Sequence, residues 1–185
     1  DAHAAAVNIE ELTAATDGFA ESALVGRGGF SRVYMASYLP SVGREALPVE
    51  LRHLPLAIKQ LVSGHSSTDL ESLRSEVAML QELKHPHLLP LLGHCLNPND
   101  GRPCLIFPLM TGGSLADRLQ PANADPSQLH RLGLASPLQP LQWLARLRIL
   151  REATEALVYL HTPIVGGKSR VLHRDFKPEN ILLTE

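Results

Sequence analysis

Apolar and polar positions along this chain change rhythm several times. From Asn8 the pattern is helical. Asn8 suits a cap, Glu11 is placed to close a capping box, and Leu12, Ala15 and Phe19 share a face, with Asp17-Gly18 ending the segment. Residues 23–39 read as two strands joined by a glycine-rich turn at Gly26, Gly28 and Gly29. Pro40 to Pro55 reads as a long connection, followed by a short strand at Leu56-Ala57-Ile58. Thr68 to Lys84 predicts a helix: Thr68 and Glu71 form a capping box, Leu70, Leu73, Val77 and Leu80 make a stripe, and His85-Pro86 stops it. Strands near Leu91–Cys95 and Pro103–Phe107 flank a turn at Asn97-Pro98-Asn99-Asp100-Gly101. Residues 120–140 are rich in Pro, Ala, Ser and Asn and read as an inserted loop. A long helix over 141–161 follows, with Trp143, Leu147, Leu150 and Leu157 on one side and Arg148, Glu152 and Glu155 on the other. Strands with one helix, then helices alone, predict an α+β fold in two unequal lobes.

Composition narrows the function. Hydrophobic residues are 44% and charged residues 19% of the 185, enough for a packed core, with aliphatic side chains filling it because aromatics are only 4%. A net charge of −2 argues against a nucleic-acid or anionic-membrane surface as the main partner, so nucleic acid is not an expected partner. Cys95 and Cys104 are too few for a disulfide framework. They could face each other across a hairpin, and the expectation is two reduced core thiols in a reducing compartment. No apolar run reaches the length of a membrane span. The chain starts at Asp1 and stops at Glu185 within an apolar, strand-like run, so both ends read as cut.

Three groups of residues carry candidate chemistry. The run Gly26-Arg27-Gly28-Gly29-Phe30-Ser31-Arg32-Val33 can turn tightly and bring backbone N–H groups against phosphate oxygens, although an ordinary turn has the same composition. A dinucleotide-binding loop would open a helix here, whereas Arg32-Val33-Tyr34-Met35 suits a strand. Glu76 falls inside the apolar stripe of Leu73, Leu80 and Leu83, where a carboxylate costs several kcal/mol, on the order of a broken buried pair, unless a cation meets it. Lys59, at the end of the preceding strand, is the expected partner; the alternative is an edge carboxylate bent toward water. The third group, His173-Arg174-Asp175-Phe176-Lys177-Pro178-Glu179-Asn180, gathers an acid, an ammonium and an amide ahead of Ile181-Leu182-Leu183. Phosphoryl transfer needs those types together.

Taken in order, Gly26-x-Gly28 before Val33, Leu56-Ala57-Ile58-Lys59, and His173-Arg174-Asp175 with Lys177 and Asn180 resemble the protein-kinase signature set. The resemblance covers about residues 8–185. Glu11-Leu12-Thr13-Ala14-Ala15-Thr16-Asp17-Gly18-Phe19, Gly28-Gly29-Phe30, His85-Pro86-His87-Leu88-Leu89, Gly113-Ser114-Leu115 and Tyr159-Leu160-His161 are similar to the receptor-like kinase/Pelle group. It implies a flanking helix in 1–20, an N-lobe and hinge over 21–110 with five antiparallel strands, and the start of a C-lobe over 111–185.

The resemblance also implies roles. Gly26, Gly28 and Gly29 would cover ATP phosphates, with Lys59 on the α- and β-phosphates, oriented by Glu76. Asp175 would orient the substrate hydroxyl and accept its proton, Lys177 would sit by the γ-phosphate, and Asn180 would ligate Mg²⁺. Val25, Val33, Ala57 and Leu182 would sandwich the adenine. Phe107 would be the gatekeeper, with Pro108 offering its C=O and Met110 its N–H, since proline lacks only the donor. Lys177 is what makes the loop resemble the Ser/Thr type, and Arg174 implies control by a phosphorylated activation loop. ATP, Mg²⁺ and a protein substrate are the implied partners, in the cytoplasm, with any membrane attachment outside this chain.

Departures temper the match. Ser31 stands where a third loop glycine is usual, and the loops at 40–55 and 121–140 look long. The Asp-Phe-Gly metal site and the activation loop are expected beyond Glu185, so the chain by itself is expected to be inactive and poorly soluble. A pseudokinase or ATP-binding scaffold is the alternative reading. His85, His87 and His94 lack the spacing of a helical zinc pair.

Overall fold

The computed structural model describes residues 4–45, 47–62, 67–96, 102–165 and 167–184, with side chains from residue 70 onward in the helix that begins at Ser67. Its elements are β1 (Ala5–Ala6), α1 (Ile9–Ala15), β2 (Leu24–Arg27), β3 (Ser31–Ala36), β4 (Leu56–Leu61), α2 (Ser67–Glu82), β5 (Gly93–Cys95), β6 (Cys104–Pro108), α3 (Leu115–Leu119), α4 (Pro126–Arg131) and α5 (Trp143–His161). The chain divides into two compact units, 1–82 with 89–109, and 83–88 with 110–185. The capping box expected at Thr68 and the turn at 97–101 lie outside the described residues.

The first unit is a sheet in the order β1-β5-β6-β4-β3-β2. Five strands pair antiparallel as expected; the sixth, β1, adds in parallel to β5 through Ala5 and Ala6. Two alanines carry no alternation, which is why the sequence pattern does not predict this strand. Alternation along the longer strands sorts the sheet's faces. Tyr34, Ile58 and Ile106 point to one side and are all buried. They join Val7, Leu12 of α1, and Leu39, Val42 and Leu47 of the 40–55 connection in one core. Each such side chain contributes about 1.5–3 kcal/mol by leaving water.

That connection is therefore packed. Its Arg44 guanidinium donates to the carbonyls of Ser37, Arg52 and Leu54 at 2.9–3.0 Å. Glu11 does not complete the capping box. Asn8 Oδ1 accepts from Glu11 N–H at 2.7 Å, but the Glu11 carboxylate accepts instead from Ser41 N–H and Oγ at 2.9 and 2.6 Å, tying α1 to the connection. The opposite face of the sheet receives α2, whose Leu73 and Val77 pack on Leu105 with Leu61 and Phe107.

In the second unit, α3 opens on a full capping box between Ser114 and Asp117. The expected loop at 120–140 contains α4, capped by Asp125, and a small core of Ala124, Leu129 and Leu138. A turn of helix lies inside that polar composition because Leu129, Leu134 and Leu138 have each other to pack on. On α5 the buried residues are Ala156 and Leu160, whereas Trp143, Leu147 and Leu150 are exposed. The C-terminal carbonyls of α5 are met by a buried lysine: Lys168 Nζ donates to Leu160 O (3.2 Å), Thr162 O (2.6 Å) and Ser169 O (3.3 Å) and lies 4.8 Å over the Tyr159 ring. Orphan carbonyls and a cation suit each other at this end of a helix. Among the described residues no helix is long and apolar enough to cross a membrane.

Candidate active site

Register alone places several candidate residues on one face of the first unit. Gly26 pairs with Val33, Val33 with Lys59, and Lys59 with Leu105; one step along, Ala57 pairs with Phe107. The glycine turn connects β2 to β3, strand to strand, as the branched residues after it predict. Gly28 N–H donates to Ser31 O at 2.8 Å and so closes the turn on itself, leaving Gly29 in open space. The Ser31 hydroxyl stands 3.4 Å from where a Cβ on Gly28 would sit. Val25 falls at a bulge between Leu24 and Gly26 and is buried. Arg27 is held by Glu21, its Nη2 reaching both carboxylate oxygens at 2.7–2.8 Å.

Lys59 and Glu76 do not pair. Both side chains are exposed, and neither makes an ion pair among the described residues. The desolvated pair that the sequence predicts is absent, for a geometric reason. The stripe of α2 that meets the sheet centres on Leu73 and Val77, and Glu76 lies on its shoulder beside half-buried Leu80. At a shoulder a carboxylate keeps its water and needs no cation. Beyond β6, Leu109 N–H donates to Pro55 O at 2.8 Å. Pro108 is buried and Met110 half-buried, and no backbone carbonyl among the described residues takes the Met110 N–H.

In the second unit, 173–180 closes into a compact loop. Arg174 has φ 63°, a left-handed conformation uncommon for a residue with a Cβ and often a sign of functional constraint. It lets Asp175 N–H reach back to His173 O at 2.8 Å. Lys177 Nζ lies 2.9 Å from Asp175 Oδ1. Asn180 Nδ2 donates to Asp175 O and to Oδ2, both at 2.8 Å. Hydrogen bonds from Lys177 and then Asn180 hold the Asp175 carboxyl below its usual range, and Asp175 in turn holds the Lys177 ammonium above its own. The His173 ring meets Phe176 edge-on at 5.8 Å.

The loop is anchored by Gly112, which no sequence motif singles out, and by Gly113, which figures there only in the family resemblance. Gly112 N–H donates to Leu183 O, Leu183 N–H to Gly113 O and Leu115 N–H to Ile181 O, at 2.8–2.9 Å. A Cβ on Gly112 would stand 2.6 Å from Leu183 O. Two adjacent glycines ahead of a capping serine are the available signal. This pairing sets Leu182, about half exposed, opposite Ser114.

The residues suit a nucleotide and a hard cation. Lys59 is an exposed cation with no ion-pair partner among the described residues, beside apolar Val33 and Ala57. Asn180 spends its nitrogen on Asp175, so its Oδ1, a hard oxygen, is left without a partner among the described residues. Among the described residues no three His, Cys, Asp or Glu side chains cluster for a metal, so a cation here would lean on Asn180 and phosphate oxygens.

Along most of its length the chain is similar to known proteins. U-box domain-containing protein 52 of Arabidopsis thaliana is 36% identical over 175 residues, covering 94% of this chain and 17% of that protein. Receptor-like kinase LIP1 of Arabidopsis thaliana is 35% identical over 176 residues, 95% of this chain and 23% of the relative. The chain thus spans less than a quarter of either protein. Among solved structures, the pseudokinase DRIK1 (drought responsive inactive kinase 1) matches with TM-score 0.69 at 21% identity, over 98% of this chain and 59% of that one, a likeness of fold. The pseudokinase domain of BIR2, an immune regulator of the RLK/Pelle family, matches with TM-score 0.61 at 26% identity, over 97% and 45%. The family profile for protein tyrosine and serine/threonine kinases fits residues 20–185, and the chain belongs to that family.

Proposed function

We propose that this chain is the nucleotide-binding and catalytic-loop part of a protein serine/threonine kinase that transfers the γ-phosphoryl group of ATP to a protein hydroxyl. The observation that carries this reading is the closed set of Asp175, Lys177 and Asn180, joined by contacts of 2.8–2.9 Å. When bound, Mg²⁺ and ATP supply the transferable group and the metal charge that offsets it. Asp175, ionised at neutral pH, orients the substrate hydroxyl and takes its proton at a carboxylate oxygen. Lys177 leaves Asp175 Oδ1 to meet the charge on the transferring group, which frees that oxygen. Asn180 keeps its nitrogen on the loop and offers Oδ1 to Mg²⁺.

In the first unit, Lys59 holds the α- and β-phosphates, and Glu76 orients it once the two are drawn together. Gly26, Gly28 and Gly29 cover the phosphates. Val25, Val33 and Ala57 are apolar partners for the base. Phe107 limits the space beside it, and the Pro108 carbonyl and Met110 N–H read its edge. Arg174 awaits a phosphate on the activation loop. The cytoplasm, where ATP and protein substrates are plentiful, is the proposed location.

The test is to supply Mg²⁺ and γ-labelled ATP to the protein that carries this chain, with mixed protein acceptors, and to analyse the labelled amino acids. Label on serine or threonine is expected; label confined to tyrosine would overturn the specificity.

A second reading, a pseudokinase that binds partners without catalysis, is favoured by two observations: Lys59 and Glu76 do not pair with each other, and the solved neighbours include pseudokinases. Under that reading nucleotide binds, or fails to bind, with no transfer in either case.

A further inference from the structure

Strands β5 and β6 set Cys95 directly opposite Cys104. Residues facing one another on antiparallel strands have Cα atoms about 4.5–5.5 Å apart, inside the span of about 4.4–6.8 Å that a disulfide bridges. These are the chain's two cysteines. Both are thiols in the core, neither in a disulfide, exposed by 3% and 0%. Cys104 Sγ lies 3.4 Å from Arg102 O, at the same end of the hairpin. Burial first, and then the neighbouring Cys95, push the Cys104 thiol up to about 12. At neutral pH the Cys104 sulfur therefore rests as a neutral thiol, close enough to Cys95 to feel its charge. Neither has a part in phosphoryl transfer.

We propose that Cys95 and Cys104 are a reversible redox pair, closed to a disulfide by hydrogen peroxide. In the first step the thiolate of one cysteine attacks a peroxide oxygen; the O–O bond breaks, the sulfur becomes a sulfenic acid, and the departing oxygen leaves as water after taking a proton. In the second step the other sulfur attacks the sulfenic sulfur, its own proton goes to the leaving hydroxyl, and a second water departs. Two thiols and one hydrogen peroxide give one disulfide and two waters. Each sulfur loses one electron and the peroxide oxygens gain both. The scarcity of thiolate confines the reaction to moments when this end of the hairpin opens, so closure is slow in the intact core.

Once formed, the bond joins β5 to β6 three residues ahead of Phe107. It narrows the unfolded ensemble, so the oxidised protein melts higher, by roughly 5 °C for a loop of this length in a domain of this size. The pair closes whether or not the protein transfers phosphate, so its chemistry is independent of the kinase reading.

The test exposes the native protein to excess hydrogen peroxide and reads its melting temperature, then unfolds it in denaturant with iodoacetamide to block remaining thiols and reads intact mass and a non-reducing peptide map. The expected product has lost both thiol hydrogens, resists alkylation, yields a linked Cys95–Cys104 peptide and melts higher. Dithiothreitol restores the original mass and melting point. Two alkylated cysteines after exposure, or sulfinic and sulfonic acids on separate cysteines, would overturn the proposal. Cys104→Ser should abolish the melting shift. Should that variant fail to fold, the wild-type peptide map decides alone.

Discussion

Asn180 reaches back to Asp175 twice with one nitrogen, its Nδ2 donating to the backbone carbonyl and to Oδ2, each at 2.8 Å. The amide so fixes both where the Asp175 backbone lies and which way its carboxylate faces, while Lys177 takes the other carboxylate oxygen. Asn180→Asp keeps the shape and the oxygens but removes the donor and sets two carboxylates side by side. Phosphotransfer should fall about a hundredfold, the scale of a misplaced catalytic group. The melting temperature should move little, because the loop is exposed. Equal losses of rate and of stability would show that the amide serves only the fold.

Lys59 is exposed and makes no ion pair among the described residues, so its charge contributes nothing to the fold that a neutral side chain would forfeit. Lys59→Met should weaken nucleotide binding about tenfold, an exposed charged contact being worth on the order of 1 kcal/mol, and shift stability within about ±0.5 kcal/mol. Calorimetric titration and urea melts measure both. Loss of folding in Lys59→Met would reveal a buried pair with Glu76 that the geometry lacks.

Gly112 allows the backbone of 181–184 to approach more closely than any side chain permits. Gly112→Ala places a Cβ 2.6 Å from Leu183 O and 2.7 Å from Thr184 O. Because both neighbours are backbone, relief requires the segment to move, at a cost of about 1–3 kcal/mol. Proteolysis should then cut near 181–184 sooner than in the wild type. Unchanged urea stability would contradict this.

Leu12 of α1 is fully buried against the sheet. Leu12→Ala should cost about 2–5 kcal/mol, which urea unfolding would register. A neutral result would make the leader helix an appendage and not part of the first unit's core.

Acid should destabilise the fold through its histidines. His85 is held below its ordinary value near 6.5 by burial first and then by His87, with Glu155 pulling the other way; His94 is held down by burial and Arg74. The unfolded chain thus binds protons more readily than the native one. The stability that comes from keeping these rings neutral is full above about pH 6.5 and is lost as pH falls through the lower native values. Melting temperature should decline from about pH 7.5 to about pH 5.5, and less steeply in a His85→Gln, His94→Gln variant. An identical slope in both would exclude the histidines as the cause.

Much of the fold and of the loop at 173–180 is legible in the amino-acid sequence. The strand-to-strand glycine turn, the helix at α2 and the composition of 173–180 all announce themselves, because each rests on local chemistry: glycine conformational freedom, a 3.6-residue stripe, an acid and an amine in one loop. What the sequence hides depends on distant partners. Ala5 and Ala6 form a strand only because β5 offers an edge. Glu11 leaves its own cap because Ser41 is nearby. Glu76 reads as an inward carboxylate on a helical wheel, yet the wheel cannot say how far round the helix the sheet extends. The polar stretch at 120–140 conceals a helix because its few leucines pack on one another.

The central claim is that Asp175 works on a substrate hydroxyl while Lys177 and Asn180 hold the loop around it. Single-turnover phosphotransfer by the protein carrying this chain, wild type against Asp175→Asn, tests it most directly. The expected result is transfer to serine or threonine that falls at least about a thousandfold in the variant, with nucleotide affinity kept. Transfer that survives Asp175→Asn, or none from the wild type with nucleotide bound, would contradict it.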